Sequence, residues 1–329
     1  MMQTVFEKRA ATVLFRFLTS NRRAGAYLLP ANVCPIVPVV FHKAGVPFEF
    51  LDIDPNTLAL DLNLVLQRIR HGTCAGILYV RTYGAVFNVE CAFKTLKDFD
   101  PSLLIIDDRC LAMPKFSHSG GYADLELYSS GYSKYVDLGW GGWGHLARGI
   151  SYMPSVTPFF EKAHEDLIEQ FRRVKDEMGH FEYRDSDWLD CREFELPRHE
   201  FESLVLAQMT IASAHRAKLN AIYRSILPQE QCLPEAFSDW RFHVWVADPE
   251  ALLKTLFAAG LFASSHYASL VPSFGAGHVP KSQLLESRIV NLFNDFRFDY
   301  EMPKLAASIT AKFLNQTRHE PYPWNDATS

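Results

Sequence analysis

Short apolar runs recur along the first half of the chain: AYLL near residue 26, FEFLDI near 48, CAGILYV near 74, LLIID near 103 and ADLELYS near 123. Their length and their branched and aromatic content predict strands. Between them, VCPIVPVVFHKAG, LDLNLVLQRIRHG and VECAFKTLKDF place apolar residues at the i, i+3, i+4 spacing of helices that lie on a sheet. Strand and helix in alternation imply βαβ units, and so a mostly parallel sheet covered on both faces.

The pattern changes after about residue 150. SVTPFFEKAHEDLIEQFRRVKDEM reads as one long amphipathic helix with its cap region at the Thr/Pro start. HFEYRDSDWLDCREFELPRHE is polar, aromatic and aperiodic, as in a connector or site loop. EFESLVLAQMTIASAHRAKLNAIYRSIL is a second long helix. Strand-like RFHVWVA and RIVNLF, helix-like PEALLKTLFAAG and a terminal helix complete a small α+β lobe. The expected division is a large α/β domain over 1–180 and a smaller C-terminal domain, with linking helices, over 181–329.

In parallel sheets of this kind ligands bind beyond the carboxyl ends of the strands. That rule selects Asp107 and Asp108 after LLIID, Ser129 and then Lys134 after ADLELYS, and Arg81, Tyr83 and Gly84 after CAGILYV. A carboxylate, a lysine and a serine hydroxyl on one edge are the groups pyridoxal 5'-phosphate (PLP) requires. The lysine holds the cofactor as a Schiff base, the carboxylate keeps the pyridine nitrogen protonated, and the hydroxyl donates to the phosphate. The glycines in KYVDLGWGGWGHL let backbone pass close to a neighbour.

The 329 residues suffice for two lobes, and 48% apolar with 22% charged residues is ordinary globular composition. A net charge of −5 gives no basic footprint for nucleic acid. Cys34, Cys74, Cys91, Cys110, Cys191 and Cys232 form no C-x-x-C pair and fit neither a zinc site nor a compact disulfide framework. No metal is expected. The N-terminus lacks a signal-peptide core, and the longest apolar stretch is broken by prolines. Reduced thiols and a cytoplasmic location, with no membrane or nucleic-acid partner, are the expectation.

Several segments together resemble the fold-type I PLP enzymes, and among them the DegT/DnrJ/EryC1/StrS sugar aminotransferases. LLPANVCPIVPVVFHKAGVPFEFLDIDPNTLALDLNLVLQRI, LYVRTYGAVFNVE, LIIDDRCLA, SSGYSKYVDLGWGGWG and SSHYASLVP each resemble a segment of that family. The resemblance implies a three-layer, aspartate aminotransferase-like fold with a mostly parallel central sheet and a smaller C-terminal α+β domain. It implies Lys134 as the Schiff-base lysine, Asp108 at the pyridine nitrogen and Ser129 at the phosphate. Arg9, in a segment where the family has its Gly-Thr phosphate loop, and Tyr83 join them as cofactor contacts. His266, Tyr267 and Arg81 are substrate candidates.

The resemblance further implies a homodimer acting on a small-molecule amino donor and a keto acceptor, such as a nucleotide-linked keto-sugar, in amino sugar biosynthesis. Departures are specific. Cys34 stands where the family stacks an aromatic ring, and Leu111 where Gln or His usually meets the ring oxygen. The stretch that usually precedes the phosphate loop and the asparagine donated by a partner subunit have no clear counterpart. A different PLP-dependent reaction, of lyase or decarboxylase type, and a non-catalytic scaffold on the same fold therefore stand as alternatives. Each candidate also has a plain structural role: Asp108 as a turn cap, Arg81 as an ion-pair partner, His266 as a structural histidine, Trp140 and Trp143 as packing.

Overall fold

The computed structural model describes residues 3–118, 120–275, 277–316 and 321–324. The first half contains, in chain order, β1 (Gln3–Glu7), α1 (Ala10–Ser20), β2 (Ala26–Pro30), α2 (Ile36–Ala44), β3 (Phe48–Leu51) and α3 (Leu62–Arg70). It continues with β4 (Cys74–Val80), α4 (Glu90–Phe99), β5 (Leu104–Asp108), β6 (Leu125–Ser129) and β7 (Gly142–Leu146). These strands form one 7-stranded sheet in the order β1-β7-β6-β5-β4-β2-β3. Strands β2 to β6 run parallel, whereas β7 and β1 pair antiparallel at one edge.

All the strands read from the apolar runs are present. The two antiparallel edge strands are additions. QTVFE is short, and glycines interrupt the apolar alternation of GWGHL, so neither carries a strong strand signal. One face of the sheet packs α1 and α2 through Val13, Phe17, Val40 and Phe41; the other packs α3 and α4 through Val65, Phe93 and Leu96. All these side chains are buried, which gives the three-layer order helix, sheet, helix.

The second half begins with α5 (Glu161–Asp176) and α6 (Arg198–Ile226). The helix expected over the whole of SVTPFF…DEM is shorter: residues 151–160 have no regular structure, and Phe160 caps α5 without a side-chain hydrogen bond. Then follow β8 (Phe242–Trp245), α7 (Pro249–Ala258), β9 (Ala263–Ser264), α8 (Val271–Phe274), α9 (Pro280–Glu286), β10 (Ile289–Leu292) and α10 (Met302–Gln316). The antiparallel sheet β8-β10-β9 carries a separate apolar core with α6, α7 and α10, centred on Leu219, Val244, Leu252, Leu292 and Ala306. Beyond α10, Tyr322 packs against Trp245. All six cysteines are free, and no helix among the described residues is long and apolar enough to cross a membrane.

Candidate active site

Register decides what meets at the carboxyl edge of the parallel strands. Val80 pairs with Asp108, and Asp108 with Leu127, which is followed two residues later by Ser129. Ser129 pairs with Gly142, and Gly142 with Glu7, so the row continues to the start of α1. Gly142 is required at this crossing, because a Cβ there would lie 2.1 Å from the Ala10 nitrogen. Gly141, at φ +95, turns the chain beside it. The glycine run therefore seats the first turn of α1 beside Ser129.

Around that row lies a cavity of about 380 Å³. Arg9, Cys34, Asp108, Ser129 and Lys134, all selected from the sequence, line it together with Ala10 and Ala11. A smaller pocket at its inner end is lined by Asn32, Cys34, Asp108, Leu111, Lys134 and Tyr267. Lys134 and Asp108 thus border both spaces. The Lys134 ammonium makes no hydrogen bond or ion pair among the described residues.

Asp108 is 7% exposed and accepts a hydrogen bond from the Cys110 N–H at 2.9 Å. Burial raises its carboxyl above the ordinary aspartate range, and the Cys110 hydrogen bond and the nearby Lys134 charge pull it partly back. Burial also pushes the Cys110 thiol well up, with Asp108 adding to it, so this sulfur stays protonated. Ser129 Oγ accepts from the Gly131 N–H at 3.1 Å. At the start of α1, Thr12 and Val13 donate to the Arg9 carbonyl, while the Ala10 and Ala11 N–H groups have no acceptor among the described residues. An extended Arg9 precedes the helix, its guanidinium donating to the Gly139 carbonyl at 2.9 Å. Free N–H groups at a helix start, beside a hydroxyl and an arginine, are the groups that anion sites use.

Other sequence candidates take different places. Tyr83 lines neither space: its ring stacks on His243 at a centroid distance of 3.9 Å, and its hydroxyl donates to the His266 carbonyl at 2.5 Å. The ring contact expected of it is replaced by packing, because the positive φ of Tyr83 (56°) turns the side chain into the core beside Phe237 and Trp240. Arg81 is buried and binds Asp107 through Nε at 2.8 Å, so it presents no free cation to a substrate. His266 is exposed but lines neither space, whereas Tyr267, next to it, reaches the inner pocket and stacks on Trp240. Trp143 is fully buried and stacks on Tyr128.

The structure adds residues that the strand-end rule could not select. Phe159, His164, Ile168, Trp188 and Asp190 form the outer wall of the cavity. His164 shares an α5 face with Leu167, Ile168 and Phe171, and that i, i+3, i+4, i+7 spacing was the available signal. Burial and the Arg9 charge hold His164 below the ordinary histidine range, so its imidazole is neutral at pH 7.

Solved structures of PLP-dependent aminotransferases share this fold, a mostly parallel sheet joined to a small α+β lobe. The Streptococcus pneumoniae protein Spr1654, solved in a PMP form and in a PLP form, superposes in the PMP form with a TM-score of 0.69 at 18% identity, over 95% of this chain and 88% of its own. A DegT DnrJ EryC1 StrS aminotransferase from Brucella abortus gives 0.67 at 16% identity, over 94% and 86%. DesI, solved in the presence of its TDP-sugar product, gives 0.70 at 15% identity, over 94% and 80%. No protein-family model and no curated protein matches the chain.

Proposed function

We propose that the protein is a PLP-dependent aminotransferase in which Lys134 holds the cofactor and transfers protons. One observation carries this reading: the Lys134 ammonium and the Asp108 carboxylate border the same two spaces at the carboxyl edge of the sheet. The remaining groups fit the cofactor. Ser129 Oγ and the free N–H groups of Ala10 and Ala11 suit its phosphate, and Asp108 suits a protonated ring nitrogen. Cys34 and Leu111 offer apolar contact where a hydrogen-bonding or stacking group is common. When bound, the cofactor supplies an electron sink for the bond broken at the substrate Cα.

The chain's own residues then do the following. Burial raises the Asp108 carboxyl, so a facing cation stabilises its charged form, and it favours a cationic ring nitrogen over a neutral group. Lys134 Nζ, which borders both spaces beside Asp108, would hold the cofactor and is placed to take a proton from a substrate carbon and return it. Cys110 stays a thiol and does not compete as a nucleophile. Phe159, Ile168, Trp188 and Leu189 give the outer part of the cavity an apolar lining, and His164 remains a neutral hydrogen-bonding group there.

The acceptor is a small keto compound, and a nucleotide-linked keto-sugar is the class suggested by DesI and its TDP-sugar product. A homodimer in the cytoplasm completes the proposal. The test is to supply PLP and each amino acid in turn and measure the matching keto acid by mass spectrometry. Keto acid that requires Lys134, with none from Lys134→Ala, supports transamination. Carbon dioxide or an eliminated fragment in place of keto acid would redirect the reading to lyase or decarboxylase chemistry.

A further inference from the structure

The segment that carries Lys134 runs from Ser130 to Gly141 between β6 and β7. It is pinned at its root, where Ser130 N–H donates to the Gly141 carbonyl at 3.0 Å and Leu138 N–H to the Ser130 carbonyl at 2.8 Å. At its tip the carbonyls of Ser133, Lys134 and Tyr135 are held from elsewhere, by side chains of the second half of the chain. Trp240 Nε1 donates to the Ser133 carbonyl at 2.6 Å. Arg216 Nη2 donates to the Tyr135 carbonyl at 3.1 Å and to the Lys134 carbonyl at 3.3 Å. Arg241 Nη2 donates to Ser133 Oγ at 2.7 Å.

The donors are themselves immobilised. Arg216, on α6, is 3% exposed; its Nη1 donates to Asn294 Oδ1 at 2.6 Å and to the Trp240 carbonyl at 2.8 Å, and its guanidinium lies 5.0 Å from the Tyr135 ring centre. Arg241 is ion-paired to Asp295 and is also buried. Ser133 between them has φ +59, a left-handed conformation that costs a non-glycine residue about 1–2 kcal/mol. Such a residue persists where its surroundings over-determine it. The Trp240 ring also stacks on Tyr267, which borders the same inner pocket as Lys134.

We infer that Arg216 and Trp240 are positioning residues that fix the backbone on either side of Lys134, so that its ammonium enters the cavity at Asp108 without a conformational search. The inference rests on the reading of Lys134 as the cofactor-bearing lysine and assigns a role to residues that touch neither cofactor nor substrate. A lysine side chain already has several free torsions. Releasing the backbone carbonyls would add more, and each torsion to be ordered costs free energy at the moment of attachment. The clamp therefore controls how fast Lys134 reacts, whereas Asp108, Ser129 and the start of α1 set how tightly PLP is held.

The experiment separates those two quantities in the full chain, for wild type, Trp240→Phe and Arg216→Lys. Equilibrium dialysis gives PLP affinity with Lys134→Ala added to each background. Borohydride quenching at timed intervals, followed by peptide mapping, gives the rate of attachment to Lys134. Trp240→Phe keeps an aromatic ring at the stack while removing the indole N–H with part of its ring, so it guards against a failure of Arg216→Lys to fold. The expected result is attachment slowed roughly three- to tenfold in each variant, the loss of about one hydrogen bond, with affinity changed less than about twofold. Equal attachment rates, or a matching loss of affinity, would overturn the inference. A wild-type chain that never labels Lys134 overturns the proposed activity. In that case acetylation of Lys134 in the cofactor-free chain decides on the clamp: faster in the variants if it exists, unchanged if it does not.

Discussion

Arg81 grips Asp107 through two nitrogens, Nε to Oδ1 at 2.8 Å and Nη2 to Oδ2 at 2.9 Å, while the neighbouring Asp108 has no arginine partner among the described residues. Consecutive strand residues point to opposite faces of the sheet. The two carboxylates of the Asp-Asp pair therefore belong to different tasks, one to the frame and one to the cavity. Arg109 adds a further bond to Asp107, at 2.8 Å from Nε, which leaves Asp107 fully enclosed by charge.

Asp107→Ala leaves the buried Arg81 guanidinium without its counter-ion and Arg109 with only the more distant Glu126, at 3.9 Å. Breaking a buried pair from one side costs about 3–5 kcal/mol. A fall in melting temperature of roughly 6–10 °C is expected. Calorimetry on the two single variants checks the division of labour, because Asp108→Asn should melt no lower than wild type. Equal losses in both would refute it.

Asp108 also gives a pH signature in the cofactor-free chain. Burial raises its carboxyl, so the folded chain holds that proton more tightly than the unfolded chain does. The resulting stabilisation is complete below the ordinary aspartate value and is lost as pH rises through the raised folded value. Asparagine cannot ionise. Asp108→Asn should therefore melt higher than wild type at pH 7, by roughly 2 °C for each kcal/mol relieved, with the gap closing toward pH 4. A variant that melts lower at pH 7 would count against the buried, under-compensated carboxylate.

His243 sets an acid limit. It is 2% exposed, stacks on Tyr83 and has its Nδ1 within 2.8 Å of the Asn291 amide. Burial, with the Arg241 charge behind it, holds the imidazole well below 6.5. The folded chain keeps it neutral while the unfolded chain takes up a proton, so stability is present above that value and falls by about 1.4 kcal/mol per pH unit below it. Urea unfolding at pH 7 and pH 5.5 should show this loss in wild type and a smaller one in His243→Phe. An identical pH response in both would remove His243 from the account.

Gly142→Ala tests the geometry of the anion corner. The added methyl would sit 2.1 Å from the Ala10 nitrogen and 2.5 Å from its Cα, both backbone atoms that cannot rotate away. Either β7 or the first turn of α1 must move, at a cost of about 1–3 kcal/mol or more. PLP affinity should fall at least tenfold even where the variant folds. Unchanged affinity in a folded variant would show that the start of α1 takes no part in binding.

Much of this was legible in the residues. Short apolar runs and period-3.6 patterns gave the parallel strands and their helices, and the strand-end rule selected Asp108 and Ser129 at the ends of apolar runs and Lys134 five residues further on. Edge strand β7 was hidden by its own glycines, which are there for α1 and not for the sheet. The directions of Tyr83 and Arg81 were not legible for a related reason: both follow β4, but the positive φ at Tyr83 and the ion pair at Arg81 decide where their side chains go. The donors to the Lys134 segment lie some 80 to 110 residues away along the chain, a separation that no local pattern can bridge.

The most direct measurement is borohydride reduction of the purified chain incubated with PLP, followed by peptide mapping. The expected result is a single pyridoxyl adduct on Lys134, present in wild type and strongly diminished in Asp108→Asn. Adducts scattered over exposed lysines with Lys134 unlabelled, or no adduct at all, would contradict the claim that Lys134 and Asp108 form a cofactor site.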